Sequence, residues 1–417
     1  MGRKILMLSL ALALTALMFV GVVSADSDLI QLTHNSAINS HPSISADGSK
    51  IAFGSNVNGN SRIFVANSDG SGLTQLTHNN VDYEEPHISS DGSKTAFQSN
   101  VDSGSEIFVV NSNGLGLTQL TNNHAHNWEL SISASGSKTA FQSDVTGNLE
   151  IFVVNSDGTK LTQLTHNTAS NVHPSISADG SKIAFSSDVD GSLEIFAVNS
   201  DGSGLNQLTH NQTFVSEPHI SADGSKIAFG SNVNGNSQIF VINSDGSSLK
   251  QLTNNYANNW DLSISANGSK IAFQTGETGN LEIFVANSDG SSLKQLTHNS
   301  AYDWEPHISA DGSKIAFHSL ATGNLNIFVI NSDGTKLTQL THNTASNSHP
   351  SISADGSKIA FESDVTGTLE LFVVNTTSQP DNPLIPWLIL IGGVVLIVSA
   401  LTAAIYIQII RQKRKLE

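Results

Sequence analysis

Apolar residues in this chain come in short runs with strand-like alternation, separated by clusters of Gly, Asn, Asp and Ser. One stretch shows the grammar. His173-Pro174-Ser175-Ile176-Ser177 reads as a short strand, and Asp179-Gly180 as a hairpin turn. Lys182-Ile183-Ala184-Phe185 is a second strand, followed by a loop over 188–192 that contains Gly191. Leu193-Glu194-Ile195-Phe196-Ala197-Val198 is a third, ended by Asn199-Ser200-Asp201-Gly202, and Leu205-Asn206-Gln207-Leu208-Thr209 is a fourth. No run here keeps the 3.6-residue period of a crossover helix.

The grammar repeats without insertion. Gln-Leu-Thr begins at Gln31, Gln75, Gln119, Gln163, Gln207, Gln251, Gln295 and Gln339, always 44 residues apart. Gly-Ser-Lys ends at Lys50, Lys94, Lys138, Lys182, Lys226, Lys270, Lys314 and Lys358 with the same step. Four antiparallel strands in such a period predict a propeller blade. Two columns of phenylalanine, from Phe53 to Phe361 and from Phe64 to Phe372, hold 16 of the 18 in the chain. Large rings at two fixed places per sheet suit packing between blades. Closure is legible as well. A fourth-strand segment, Leu29-Ile30-Gln31-Leu32-Thr33, precedes every other strand, and the last unit stops at Leu371-Phe372-Val373-Val374 without one. The first segment can complete the last blade and remove two open sheet edges. The expectation is an all-β, closed eight-bladed β-propeller of four-stranded antiparallel blades over residues 29–374.

The units Ile-Ser-Ala-Asp-Gly-Ser-Lys-Ile-Ala-Phe and Glu-Ile-Phe-Val-Val-Asn-Ser-Asp-Gly resemble the repeat of TolB-type propellers. That family often has Pro where this chain has Ala46, Ala178, Ala222, Ala310 and Ala354, and the turn departs to Ser135-Gly136 and Asn267-Gly268 in two units. The Gly-His and Trp-Asp signature of WD repeats is missing. The resemblance implies the fold over 29–374. TolB itself has six blades and an extra N-terminal domain, so its role does not carry over. Similar repeats precede serine-peptidase domains, but residues 375–383 leave such a domain no room before the apolar segment that follows.

Both ends read as membrane-directed. Arg3 and Lys4 precede an apolar stretch and a small-residue site at Val23-Ser24-Ala25, the layout of a signal peptide over 1–25. After a linker over 375–383, residues 384–410 form one expected C-terminal transmembrane helix, and Arg411-Gln412-Lys413-Arg414-Lys415 opens a cytoplasmic basic tail over 411–417. The expectation is a single-pass protein of the cell membrane whose N-terminal ectodomain lies outside. Cysteine is absent, which excludes disulfides and thiolate chemistry. The net charge of −17 excludes a nucleic-acid backbone as partner, and residues 26–383 alone carry −22.

With the scaffold nearly constant, the varying positions carry the information. Ten residues after each repeat Gln stand His41, Glu85, Glu129, His173, Glu217, Asp261, Glu305 and His349, all ionisable. First strands of propeller blades are innermost, so this column is expected to ring one mouth of the channel. His87, His219 and His307 follow two residues on, and Trp128, Trp260 and Trp304 precede it. The plainest account is one polar residue copied eight times for inter-blade hydrogen bonds. The functional account is a protein- or glycan-binding face with aromatic platforms and orienting carboxylates, without a cofactor. An alternative is a metal-assisted polysaccharide lyase or hydrolase with His and carboxylate ligands to a divalent metal, since oligogalacturonate lyases, which have related repeats, place His-ligated metal in the channel. Another is a structural surface-layer component. No nucleophile motif occurs.

Overall fold

The computed structural model describes residues 29–376 other than 79, 80, 102, 103, 190, 211–214 and 216. The expected signal peptide, the transmembrane helix, the basic tail and nearly all of the linker lie outside the described residues. Among the described residues no helix is long and apolar enough to cross a membrane.

Eight four-stranded antiparallel sheets follow one another. Blade 1 comprises Asn39–Ile44, Lys50–Val57, Asn60–Asn67 and Thr74–Gln75, from the innermost strand outward, and blades 2 to 7 repeat the order. Blade 8 takes Asn347–Ile352, Lys358–Ser363 and Glu370–Asn375 from the C-terminal end and Leu29–Gln31 from the N-terminal end. The register is Leu29↔Val374, Ile30↔Val373 and Gln31↔Phe372. The Leu32 amide extends the closure by donating to the Leu371 carbonyl at 2.8 Å.

The outer strands are only two or three residues long, shorter than the five-residue segments expected. Side chains replace the missing ladder, and this explains the Gln-Leu-Thr repeat. In blade 1, Gln75 Nε2 donates to the Thr77 carbonyl, and Thr77 Oγ1 accepts the Ile63 amide at 3.0 Å. Leu76 between them is buried. The motif therefore seals an edge that would otherwise expose unpaired amides.

The two phenylalanine columns meet within each sheet as direct cross-strand partners, Phe53 opposite Phe64 with stacked rings 5.7 Å apart. The first of each pair is fully buried. Every apolar cluster spans two blades: Leu76 and Val65 of blade 1 pack with Phe97 and Phe108 of blade 2. At the closure, Phe53 and Leu32 pack with Ala360 and Val373. The core is thus eight seams, each stabilised by a neighbouring sheet.

The Asp-Gly hairpins hold together by side-chain bonds. Asp47 Oδ1 accepts from Ser45 Oγ and the Ser49 amide, and Gly48 has φ +66°, a value that favours glycine. Those bonds hold the Asp47 carboxyl below its ordinary range. In the departing unit Asn267 accepts the equivalent bonds from Ser265 and Ser269, so the turn survives.

Buried polar seams link neighbouring blades. Asn171 Nδ2 donates to Glu150 at 3.0 Å across the seam between blades 3 and 4. At the equivalent place between blades 6 and 7, Asp303 replaces Asn and meets Glu282, both fully buried. Burial, with the Asp303 carboxylate adding repulsion, pushes Glu282 up to about 7.

Candidate functional site

The chain enters each innermost strand at one end of the ring, here called the mouth. Seven of the eight column residues have left-handed backbone, from φ 48° at Asp261 to φ 56° at His41 and His173. The sheet register skips at the same place. Trp128 pairs with Gln142 and Ser131 with Ala140, so Glu129 and Leu130 oppose a single residue. This is a β-bulge whose first position ordinarily calls for glycine. An L side chain there costs about 1–2 kcal/mol. Strain repeated in seven blades, always on an ionisable residue, marks a position where the side chain is kept despite its cost. Glu129→Gly should therefore stabilise the fold by up to about 1 kcal/mol, and Glu129→Val should destabilise it, as measured by urea unfolding.

The bulge amides are tied to the preceding blade. The His173 amide donates to Gln142 Oε1 at 2.9 Å, the Glu305 amide to Gln274 Oε1 at 3.0 Å, and the His41 amide to Glu362 Oε1 at 2.7 Å. The second-strand position after each core Phe supplies these acceptors. Sequence reasoning passed over it, although its variation among Gly54, Gln142, Ser186, His318 and Glu362 was a signal.

The column residues also meet one another around the mouth. His173 Nε2 lies 3.7 Å from Glu217, and the His41 and His349 rings are 6.5 Å apart. The densest sector joins blades 7, 8 and 1. Buried Glu362 accepts His349 Nδ1–H at 3.1 Å, which raises the His349 pKa. His349 Nε2 lies 3.9 Å from Glu305, whose other oxygen is 3.7 Å from buried His318 Nδ1. Partial burial, reinforced by neighbouring carboxylates, raises Glu129, Asp261 and Glu305. His87 and His307, two residues further along the same strands as Glu85 and Glu305, are exposed.

A cavity of about 400 Å³ opens here, lined by His41, Glu85, His87, Glu305, His307 and His349. A groove of about 500 Å³ on the opposite face, beside Lys50 and Asn111, has counterparts at other seams and follows from blade packing. The tryptophans do not form one platform. Trp260 and Trp304 stand on adjacent blades 6 and 7, while Trp128 is on blade 3 across the ring. Trp304 packs edge-on against His318 at 5.1 Å. Of the three ring imidazoles, His41 and His349 are neighbours and His173 is on blade 4. Among the described residues no group of three His, Asp or Glu side chains could hold a metal ion.

Charge divides by face. All twelve described lysines lie at the end opposite the mouth, at the start of second strands or beside the outer ones, as do the twelve aspartates of the Asp-Gly turns. The mouth half holds the other 18 described carboxylates, the column histidines and one arginine, Arg62, which is buried and donates to the Val81 carbonyl at 2.7 Å. The negative charge of the ring thus sits on one side.

Solved structures share this architecture at low identity. Porphyromonas gingivalis dipeptidyl peptidase 4 is 14% identical with a TM-score of 0.62, over 80% of this chain and 57% of that one. Oligogalacturonate lyase of Vibrio parahaemolyticus is 13% identical with a TM-score of 0.55, over 85% of this chain and 99% of that one. An oligogalacturonate lyase in complex with manganese is 16% identical with a TM-score of 0.53, over 83% and 92%. These likenesses are of fold. No curated protein matches the sequence. The TolB beta propeller domain family matches in overlapping segments, residues 6–127, 86–188, 118–233, 211–321 and 305–384. Those segments span every blade, and the chain belongs to the TolB beta propeller domain family.

Proposed function

We propose that the chain is a non-enzymatic binding module, anchored to the cell membrane by the apolar segment over 384–410, that presents the mouth of its propeller to an extracytoplasmic protein or glycan. One observation carries this reading. Seven blades keep an ionisable side chain on a strained bulge at the mouth, while the seams beneath repeat almost unchanged. Beside those bulges Trp128, Trp260 and Trp304, half-buried to exposed, supply separate flat apolar faces of the kind that protein and glycan partners use.

The test uses immobilised full-length protein and extracts of its native cell surface. Changing Trp128, Trp260 and Trp304 together to Ala should reduce capture of the partner at least about tenfold with little change in unfolding temperature, because aromatic anchors each contribute on the order of 1–2 kcal/mol. Equal capture by the folded triple variant removes this reading.

A further inference from the structure

We propose that His349 is a proton-operated clasp at the mouth. Charged, it ties Glu305 of blade 7 to Glu362 of blade 8; neutral, it leaves Glu305 open to a partner. The proposal rests on reading the mouth as the binding face and names how that face is regulated. It begins from where the imidazoles are. All 15 histidines stand in the mouth loops, at the mouth ends of strands or along the bore, and none is on the far face. Imidazole is the one side chain that ordinarily changes charge between about pH 5 and 8, so a pH change in that range is felt at the mouth. Of the three column imidazoles, only His349 has a carboxylate behind it in its own blade. The second-strand residue paired just before the bulge is Gly54 for His41 and Ser186 for His173, but Glu362 for His349.

The geometry leaves one proton to decide. Both Glu362 oxygens accept, one from the His41 amide at 2.7 Å and one from His349 Nδ1 at 3.1 Å, so Nδ1 carries hydrogen in either state. Nε2 lies 3.9 Å from a Glu305 oxygen, and its proton is what comes and goes. With that proton Nε2 is a donor, and the imidazolium joins two carboxylates across the seam. Without it a lone pair faces a carboxylate at the wall of the cavity. A hydroxyl or amide donor of a partner can bridge those two acceptors. Proton and partner thus compete for one place. The surrounding groups leave the choice to His349. His318, 3.7 Å from the second Glu305 oxygen, is held down to about 4 by burial and stays neutral over this range. His41 of blade 1, His307 beside Glu305, and Glu85 and His87 of blade 2 line the same cavity. The third strand of blade 7, Asn326–Asn331, brings no ionisable group. The Glu362 bond raises His349, and partial burial raises Glu305.

Magnetic resonance of the full-length protein with isotope-labelled histidine reads the clasp directly, the His349 signal being the one lost in His349→Ala. Its midpoint should lie above the ordinary 6.5, and Glu362→Gln should lower it by about one pH unit. Capture of the partner from cell-surface extracts should strengthen about tenfold as the pH rises through that midpoint. Glu305→Gln should flatten this dependence, whereas His34→Ala, exposed on the outer rim, should leave it in place. A midpoint at or below 6.5, or one that Glu362→Gln does not move, overturns the clasp. If capture ignores pH while the tryptophan variant still loses its partner, the binding-face reading stands and the clasp falls. If capture follows the midpoint while the tryptophan variant captures normally, the clasp stands and the tryptophan reading falls. No capture at any pH removes both.

Discussion

Asp303→Asn should stabilise the propeller at pH 8 by on the order of 1 kcal/mol, and should flatten its loss of stability with rising pH. Glu282 and Asp303 occupy, between blades 6 and 7, the place where Glu150 pairs with Asn171 between blades 3 and 4. The fold raises Glu282 from its ordinary value of 4.5 to about 7. It therefore favours the protonated acid. Stability is complete below about pH 4.5, falls as the pH rises, and has lost most of this contribution once above about 7. A shift of this size corresponds to about 3 kcal/mol. Burial is its largest cause and persists in the variant, as the raised Glu150 beside Asn171 shows, so the gain is well below the whole. Urea unfolding of both proteins from pH 4 to pH 9 reads the difference. Parallel curves at every pH would show that the carboxyl pair is not what titrates.

Leu32→Ala should cost about 2–5 kcal/mol, the range for emptying a buried leucine site, and should also open the ring. Leu32 packs against Ala360, Leu371 and Val373, and the strand before it contributes only three paired residues. Leu76 fills the same place in blade 1, equally buried, on a strand joined to its own blade by a short turn. Leu76→Ala should therefore show a similar loss in urea without freeing any terminus. Limited proteolysis separates the two: cleavage near Leu29 should accelerate strongly in Leu32→Ala and hardly in Leu76→Ala. Equal cleavage would mean that the N-terminal strand is not the weakest part of the closure.

The architecture was readable because the repeat is strict. An outer-type strand before every other strand, and a last unit without one, forced the closure that Leu29 and Val374 realise. The phenylalanine columns were readable because a large ring at a fixed phase has few roles other than packing. The bulge was not. Its left-handed position carries Glu, His or Asp in place of the Gly or Asn that would signal it, and parity across it looks unbroken. The short outer strands were missed because Gln and Thr side chains substitute for backbone bonds. Asn58-Gly59 and Asn234-Gly235 did announce tight hairpins, and blades 1 and 5 extend their strands to Val57 and Val233 there. Treating all units as equal hid that difference. The column could be listed from the repeat alone, but Glu362 and His318, which meet it in its densest sector, sit on another strand and are joined to it only by the fold.

The same closure sets a timetable for synthesis. Thr33 Oγ1 accepts the Leu371 amide, a partner 338 residues downstream. The first strand to leave the ribosome therefore waits, unpaired, until the last blade has been made, while each intermediate blade can dock on its predecessor as it emerges. Non-local pairing of this kind is slow, and an edge left waiting is open to wrong partners. A strand of three paired residues is a small template for such errors, so its brevity protects the nascent chain at some cost to the finished ring.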